Sequence, residues 1–146
     1  MTEHPDQPVG VLDTNAIVLL DRLDPDHLPP EPAITAITLA ELSVGPLVAD
    51  DATERAARQA RLQEVESAFD PLPLDASAAR AFGRVAAQVR GAGRQVRSRA
   101  FDALIAATAI ANHLPVYTCN PRDFAGIDDL TVVPIPHPDT RDPDDG

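Results

Sequence analysis

The sequence contains no lysine or tryptophan, a single cysteine, and few aromatic residues, which make up 3% of the chain. Because Cys119 has no partner for an internal disulfide, we expect a protein of the reducing cytoplasm. No apolar run approaches the roughly 20 residues of a membrane-spanning helix, so no membrane association is expected. So few rings exclude extensive stacking on nucleic-acid bases, and any such recognition would rest mainly on backbone contacts and shape.

Charge is distributed unevenly along the chain. The formal net charge of −11 argues, taken alone, against a nucleic-acid partner. Between residues 55 and 99, however, nine arginines face four acids. Arginine can hold a phosphate through two parallel hydrogen bonds. Residues 1–8 are predicted to be a flexible N-terminus, residues 9–136 a single domain, and residues 137–146 a disordered acidic tail.

Short apolar runs alternate with helical patterns. Strands are predicted at 9–13, 33–35, 70–74, 116–118 and 131–135. Helices are predicted over 14–23, 38–48, 51–68, 75–90 and 102–111, with Asn120 capping another. This alternation indicates an α/β fold, a single domain whose short central parallel sheet is flanked by helices on both faces.

Four carboxylates occupy matching positions in this pattern. Asp13 ends the first strand, Glu41 follows the second, Asp102 begins the apolar helix 102–111, and Asp123 follows the next strand. Since the carboxyl ends of parallel strands meet at one edge of a sheet, at least three of these acids should lie together. Clustered carboxylates raise one another's pKa unless a cation neutralises them. The simplest such cation is Mg²⁺ or Mn²⁺.

Each acid also has a purely structural interpretation. Asp13 could cap the helix that follows it, and residues 38–41 match a capping box that pairs Thr38 with Glu41. Asp102 and Asp123 fall in first helical turns, where the helix dipole favours a negative charge by about 0.3–1 kcal/mol. The occurrence of all four acids in this pattern favours a shared site.

The segments that contain these acids resemble those of PIN domains, and more narrowly of the VapC-type toxin ribonucleases of bacterial toxin–antitoxin pairs. The matching segments are VLDTNAIV (11–18), ITLAEL (37–42), RAFDALIAATA (99–109) and TCNPRDFAGI (118–127). The resemblance implies one catalytic, metal-binding acidic cluster, formed by Asp13, Glu41, Asp102 and Asp123. It also implies accessory roles for four polar residues beside them, Thr14, Asn15, Thr118 and Asn120.

The implied activity is that of a metal-dependent endoribonuclease using Mg²⁺ or Mn²⁺. In-line attack of water on a phosphodiester would leave a 5′-phosphate and a 3′-hydroxyl. The four histidines fall in loops or turns, which argues against a ribonuclease with histidine as acid and base. Three arginines just before Asp102 are candidates for binding the RNA backbone, namely Arg94, Arg97 and Arg99. Arg99 could instead neutralise the acidic cluster when metal is absent.

The resemblance further implies two protein partners, a VapB-type antitoxin and a second copy of the chain in a homodimer. Two other functions stay open, a catalytically silent PIN-like binding or scaffold module and a structure-specific DNA nuclease. Two other phosphoryl-transfer families fit less well. A haloacid-dehalogenase-like phosphatase would require an acid where Asn15 stands, and a receiver domain would require a lysine near the last strands.

Overall fold

The computed structural model describes residues 8–139 and has a four-stranded, fully parallel sheet at its centre. The strands are β1 (Val9–Leu12), β2 (Glu31–Ala33), β3 (Val116–Thr118) and β4 (Val132–Pro134), in the spatial order β2-β1-β3-β4. Pro134 lies in an edge strand, as expected for a residue that cannot donate to a central ladder.

Five α-helices lie within residues 8–139: α1 (Thr14–Val18), α2 (Ala36–Val44), α3 (Ala52–Ala68), α4 (Ala76–Gly91) and α5 (Ala100–Ala111). Short 3₁₀ segments occur at Leu20–Arg22, Pro25–His27, Gly45–Val48, Arg97–Arg99 and Pro121–Phe124. Side-chain caps explain where the two longest helices begin. Asp51 accepts a hydrogen bond from the Glu54 amide and Asp75 accepts one from the Ala78 amide.

The sheet has a separate apolar core on each face. Successive strand residues point to opposite faces, so Val11 and Val116 pack with α4 and α5, whereas Leu12 and Tyr117 pack with α1 and α3. Helix α5 is buried along most of its length, including the run 105–109. The predicted class, a parallel sheet with helices on both faces, is confirmed.

The region between β2 and α2 differs from the sequence prediction. Strand β2 ends at Ala33, so the predicted strand 33–35 begins too late. Thr35 instead forms an isolated bridge with Leu72 and caps α2. The predicted capping box at Thr38 is therefore wrong, and so is the predicted strand 70–74, of which one bridge remains. Helix α2 ends at Val44 because Pro46 follows it closely.

Gly10 lets the sheet pack closely against an aromatic ring. A Cβ atom at position 10 would lie 2.4 Å from Cε1 of Tyr117 and 2.9 Å from Cβ of Pro29. No side chain fits in that space without displacing the ring or the loop. The absence of a side chain at position 10 thus allows Tyr117 to cover the centre of the sheet.

The structure does not describe residues 1–7 and 140–146. The predicted flexible N-terminus (1–8) and disordered tail (137–146) lie largely within these residues and stay predictions. Within the described part, Arg22 forms an ion pair with Asp139, and the Asp139 amide donates to Nδ1 of His137. Between residues 8 and 139, no helix is long and apolar enough to cross a membrane.

Candidate active site

Asp13 lies where β1 passes into α1, and both of its carboxylate oxygens are engaged. Oδ1 accepts from the Ala16 amide at 2.9 Å, and Oδ2 accepts from Oγ1 of Thr118 at 2.6 Å. The side chain is only 2% exposed. Burial raises the pKa of Asp13, these two hydrogen bonds oppose the rise, and the charges of Asp123 and Glu41 add to it. Asp13 therefore caps α1, as its structural interpretation proposed, and also faces other acids.

Glu41 is held by a chain of hydroxyl groups that joins α1 to α2. Oγ1 of Thr14 donates to Oε1 of Glu41 at 2.6 Å and lies 3.0 Å from Oγ1 of Thr38. A hydroxyl has one proton to donate, so Thr38 must donate to Thr14 if Thr14 donates to Glu41. Thr38 is fully buried. These two hydroxyl groups therefore fix the orientation of the Glu41 carboxylate.

Thr38 was not among the predicted accessory residues. Its sequence position contained a usable signal, since residues three apart on a helix share a face, and Thr38 precedes Glu41 by three. A cap at Thr38 would place this residue before the first helical turn, so its i,i+3 relation to Glu41 was not considered. With the cap at Thr35, Thr38 lies inside α2 and projects from the same face as Glu41.

Asp102 lies in the first turn of α5, at the N-terminal end of the buried helix. Burial raises the pKa of its carboxyl group to about 6, with further upward contributions from Asp123, Asp13 and Glu41. Arg99 acts in the opposite direction. The mutual influence of these charges shows that the fold brings the four predicted acids into one region.

Asp123 follows β3 in the short segment Pro121–Phe124 and is held by two donors. Nη1 of Arg99 lies 2.9 Å from Oδ1 of Asp123, and Nδ2 of Asn120 donates to the same oxygen at 3.1 Å. Asn120 occupies the N-cap position of this 3₁₀ segment, as predicted, but its side chain makes no capping hydrogen bond. Its side chain orients Asp123. The backbone amide of Asn120 donates to Oγ1 of Thr118 at 3.0 Å.

The remaining predicted residues differ in their surroundings. Arg94 donates to the carbonyl oxygens of Arg122 and Ala125, which ties the connector before α5 to the segment after β3. Arg97 is exposed. Asn15 is exposed and lines a cavity of about 440 Å³ together with Cys119 and Asn120. The structure thus leaves Arg97 accessible to a phosphate, while Arg94 and Arg99 are engaged within the chain.

The chemistry of the cluster fits a divalent cation, although its geometry in this structure is open. Carboxylate oxygens are the ligands that Mg²⁺ and Mn²⁺ prefer, and mutual repulsion of the kind that raises the pKa of Asp102 would be relieved by a cation. Within residues 8–139, no three acidic, histidine or cysteine side chains converge closely enough to enclose an ion. Metal binding would require the acids to approach one another more closely.

The site is an acidic cluster at the edge of a short parallel sheet, and known proteins share this fold. The PIN domain family model matches residues 10–130. Ribonuclease VapC5 of Mycobacterium tuberculosis is 40% identical over 129 residues, covering 86% of this chain and 93% of that protein. Ribonuclease VapC4 of the same organism is 31% identical over 129 residues, covering 86% and 96%.

A solved structure agrees with these sequence matches. The crystal structure of VapBC-5 from Mycobacterium tuberculosis, a member of the VapBC family of toxin–antitoxin systems, aligns with a TM-score of 0.76 and 36% identity. The alignment covers 87% of this chain and 98% of that one. The chain therefore belongs to the PIN-domain family and, within it, to the VapC ribonucleases.

Proposed function

We propose that this protein is a metal-dependent endoribonuclease and the toxin of a toxin–antitoxin pair. Its relatives are named as VapC ribonucleases. The observation that supports the chemistry best is the pKa of Asp102, raised to about 6 by burial and by three other acids. In this proposal Asp13, Glu41, Asp102 and Asp123 hold Mg²⁺ or Mn²⁺.

The chain's own residues position the reacting groups. A cation of this class lowers the pKa of a bound water and stabilises charge on the phosphate. Thr118 and the Ala16 amide fix the orientation of Asp13, Thr14 and Thr38 fix Glu41, and Asn120 fixes Asp123. Water attacks phosphorus in line, the bond from phosphorus to the 3′ oxygen breaks, and that oxygen takes a proton. The products are a 5′-phosphate and a 3′-hydroxyl.

Arginine side chains supply the attraction for RNA that the acidic cluster lacks. Arg97 is exposed and therefore suited to a backbone phosphate. Arg99 would become available to RNA if Asp123 bound the metal in its place, and metal binding and RNA binding would then support each other. Arg94 would contribute mainly by fixing the segment that contains Asp123.

A VapB-type antitoxin is the proposed protein partner, since a matching solved structure is a VapBC toxin–antitoxin system. A groove of about 330 Å³ between α1 and α3 is a candidate surface for it, lined by apolar residues such as Val18 and Phe69 and by the charged residues Asp21, Arg61 and Glu64. Homodimerisation and a cytoplasmic location stay predictions from the family resemblance and the cysteine content.

Cleavage of total RNA by the purified, antitoxin-free protein tests the proposal. Mg²⁺ or Mn²⁺ should support discrete fragments, and EDTA or Asp102→Asn should abolish them. Asp70→Asn, an exposed acid outside the site, is the matched control and should cleave normally. Intact RNA with folded, metal-loaded protein would favour a silent binding module, whereas cutting of flap or single-stranded DNA alone would favour a DNA nuclease.

A further inference from the structure

A groove of about 410 Å³ opens at the edge of the sheet opposite the acidic cluster. Pro115 and Thr131 line it and directly precede β3 and β4, whereas Asp13 follows the end of β1. Helix α5 connects the two edges, since Asp102 lies in its first turn and Ala111, at its other end, lines the groove. The helix between these two residues is about 14 Å long. The groove is therefore separate from the candidate active site.

Helix α4 forms one wall of this groove. Ser77 and Arg84 both line it, and residues seven apart lie on the same face of a helix. Gln88 lies one turn beyond Arg84, and its side-chain amide donates to Oδ2 of Asp129 at 3.1 Å. Asp129 also lines the groove. Its carboxylate is thus held against α4 about one helical turn from the arginine.

The wall formed by the end of α5 is apolar. Ile110 and Leu114 are half-buried and pack against the core on this face of the sheet, and Pro115 is buried. Between them, His113 has a φ of 57°, a left-handed conformation that commonly ends a helix. This turn leads the chain from α5 into β3 along the groove. The partly exposed aliphatic surface can cover the apolar body of a ligand.

The charged groups of the groove are available to a ligand. Arg84 is exposed, and its side chain makes no ion pair or hydrogen bond within residues 8–139. A guanidinium group without a carboxylate partner can bind a phosphate through two parallel hydrogen bonds. An ionised carboxylate only accepts hydrogen bonds, so Asp129 requires donors from the ligand. The groove therefore suits a molecule that is anionic at one end and donates hydrogen bonds at the other.

We propose that this groove binds a nucleoside 5′-monophosphate, with the phosphate on Arg84, the base on the apolar wall and the edge of the base donating to Asp129. Small-ligand sites have volumes of about 300–1,000 Å³ and combine apolar walls with a few polar groups, as this groove does. Guanine suits Asp129 best, because its N1–H and N2–H₂ donors lie side by side, whereas uracil has one donor between two carbonyl groups.

A free amino acid also has an anionic and a donating group, but the geometry of the groove favours the nucleotide. The carboxylate and ammonium groups of an amino acid share one carbon atom, whereas Arg84 and Asp129 lie about one helical turn apart along α4. The nucleotide could be a free molecule or the 5′-terminal residue of an RNA, since both have the same phosphate and base. The proposal does not depend on the ribonuclease function.

Titration calorimetry with guanosine 5′-monophosphate tests the proposal. EDTA is present, so that no metal at the acidic cluster can bind the phosphate. The nucleotide should bind saturably, and guanosine, inorganic phosphate and uridine 5′-monophosphate should each bind more weakly. Absence of saturable binding would overturn the proposal, as would equal affinity for guanosine or for phosphate alone.

Two exposed arginines one turn apart on α4 provide a matched pair of variants. Arg84→Gln should raise the Kd for guanosine 5′-monophosphate about tenfold, because hydrogen bonds to a charged group are lost. Arg80→Gln removes an exposed arginine that does not line the groove and should leave the Kd unchanged. Asp129→Asn should reduce the preference for guanine over uracil. Equal effects of the two arginine variants would refute the site, and an unchanged base preference in Asp129→Asn would refute the placement of the base.

Nuclear magnetic resonance locates the ligand and identifies its source. Amide signals of residues 111–114 and 129–131 should shift on addition of the nucleotide, and those of residues 13–16 should not. Shifts confined to residues 13–16 would place the ligand at the acidic cluster and overturn the proposal. A short RNA that begins with guanosine is then added with a 5′-phosphate or a 5′-hydroxyl. Shifts with the phosphorylated RNA alone would support an RNA end as the ligand, whereas shifts with the free nucleotide only would support a small-molecule site.

Discussion

Arg99 and Asp123 form an ion pair inside the acidic cluster, with 2.9 Å between Nη1 and Oδ1 and exposed side-chain fractions of 33% and 18%. The pair places a positive charge beside one of the four acids proposed to bind metal. If a cation binds at Asp123, Arg99 would compete with it, which is the neutralising role that the sequence also suggests for this arginine.

Removal of that competitor should strengthen metal binding. We expect Arg99→Ala to lower the Kd for Mn²⁺ severalfold in titration calorimetry without RNA, because Asp123 is released and a nearby positive charge disappears. Arg80→Ala removes an exposed arginine elsewhere and should leave the Kd unchanged. Weaker Mn²⁺ binding by Arg99→Ala would show that the arginine organises the site instead of competing for it.

Asp102→Asn should stabilise the metal-free protein while abolishing cleavage. The folded-state pKa of Asp102 is raised from 3.8 to about 6, so the folded chain binds this proton more tightly than the unfolded chain does. The charged group therefore destabilises the fold above pH 6, and its unfavourable effect disappears as the pH falls toward 4. In EDTA at pH 7.5, we expect Asp102→Asn to gain about 1–2 kcal/mol after allowance for solvent screening.

Urea unfolding at two pH values checks this sign. The difference between Asp102→Asn and the unaltered chain should be largest at pH 7.5 and should shrink at pH 5, and Asp70→Asn should show no such dependence. Equal unfolding free energies of Asp102→Asn and the unaltered chain at pH 7.5 would mean that the charged Asp102 carboxylate does not destabilise the folded protein.

Thr118→Val should destabilise the fold through Asp13. The substitution keeps the shape of the side chain but removes the hydroxyl that donates to Oδ2 of Asp13 at 2.6 Å, leaving a buried oxygen without that donor. Such a loss typically costs about 1–3 kcal/mol. Thr118→Ser retains the hydroxyl and should lie closer to the unaltered protein in thermal unfolding. The prediction fails if valine and serine have the same effect.

Gly10→Ala and Gly83→Ala should have opposite effects on stability. A methyl group at position 10 meets the Tyr117 ring at 2.4 Å, and overpacking of this kind typically costs about 1–3 kcal/mol. Gly83 lies inside α4 with no neighbour within 4 Å of an added Cβ, so alanine there should gain about 0.5–1 kcal/mol. Denaturant midpoints of the two variants test the contrast. Equal shifts would contradict the close approach of Gly10 to Tyr117.

The sequence was sufficient to predict the class of fold and the neighbourhood of the four acids, because both follow from strong local patterns. Helix α5 is apolar on nearly every side, and Asp13 and Asp123 each follow a strand of the parallel sheet. These local features of the sequence do not depend on contacts with distant parts of the chain. The position of Glu41 near the other acids follows from the order of the elements alone, because α2 comes directly after β2.

The finer contacts could not be predicted because they depend on distant parts of the chain. Thr35 and Thr38 are both good helix caps, and the pairing of Thr35 with Leu72 decides between them. The partner of Arg99 is 24 residues away and becomes its neighbour through the packing of α5 beside the segment after β3. Local propensity contains no information about either contact.

The order of the elements has a consequence for protein synthesis. Asp13 appears early in translation, but its partner Thr118 is 105 residues later and Asp123 later still. Every truncated or unfinished chain that stops before β3 lacks Asp123 and two of the groups that orient the acids, Thr118 and Asn120. If the four acids form the proposed catalytic site, a ribosome making this protein would meet no competent nuclease until residue 123 has been added, and proteolytic loss of the segment from residue 118 onward would inactivate the protein.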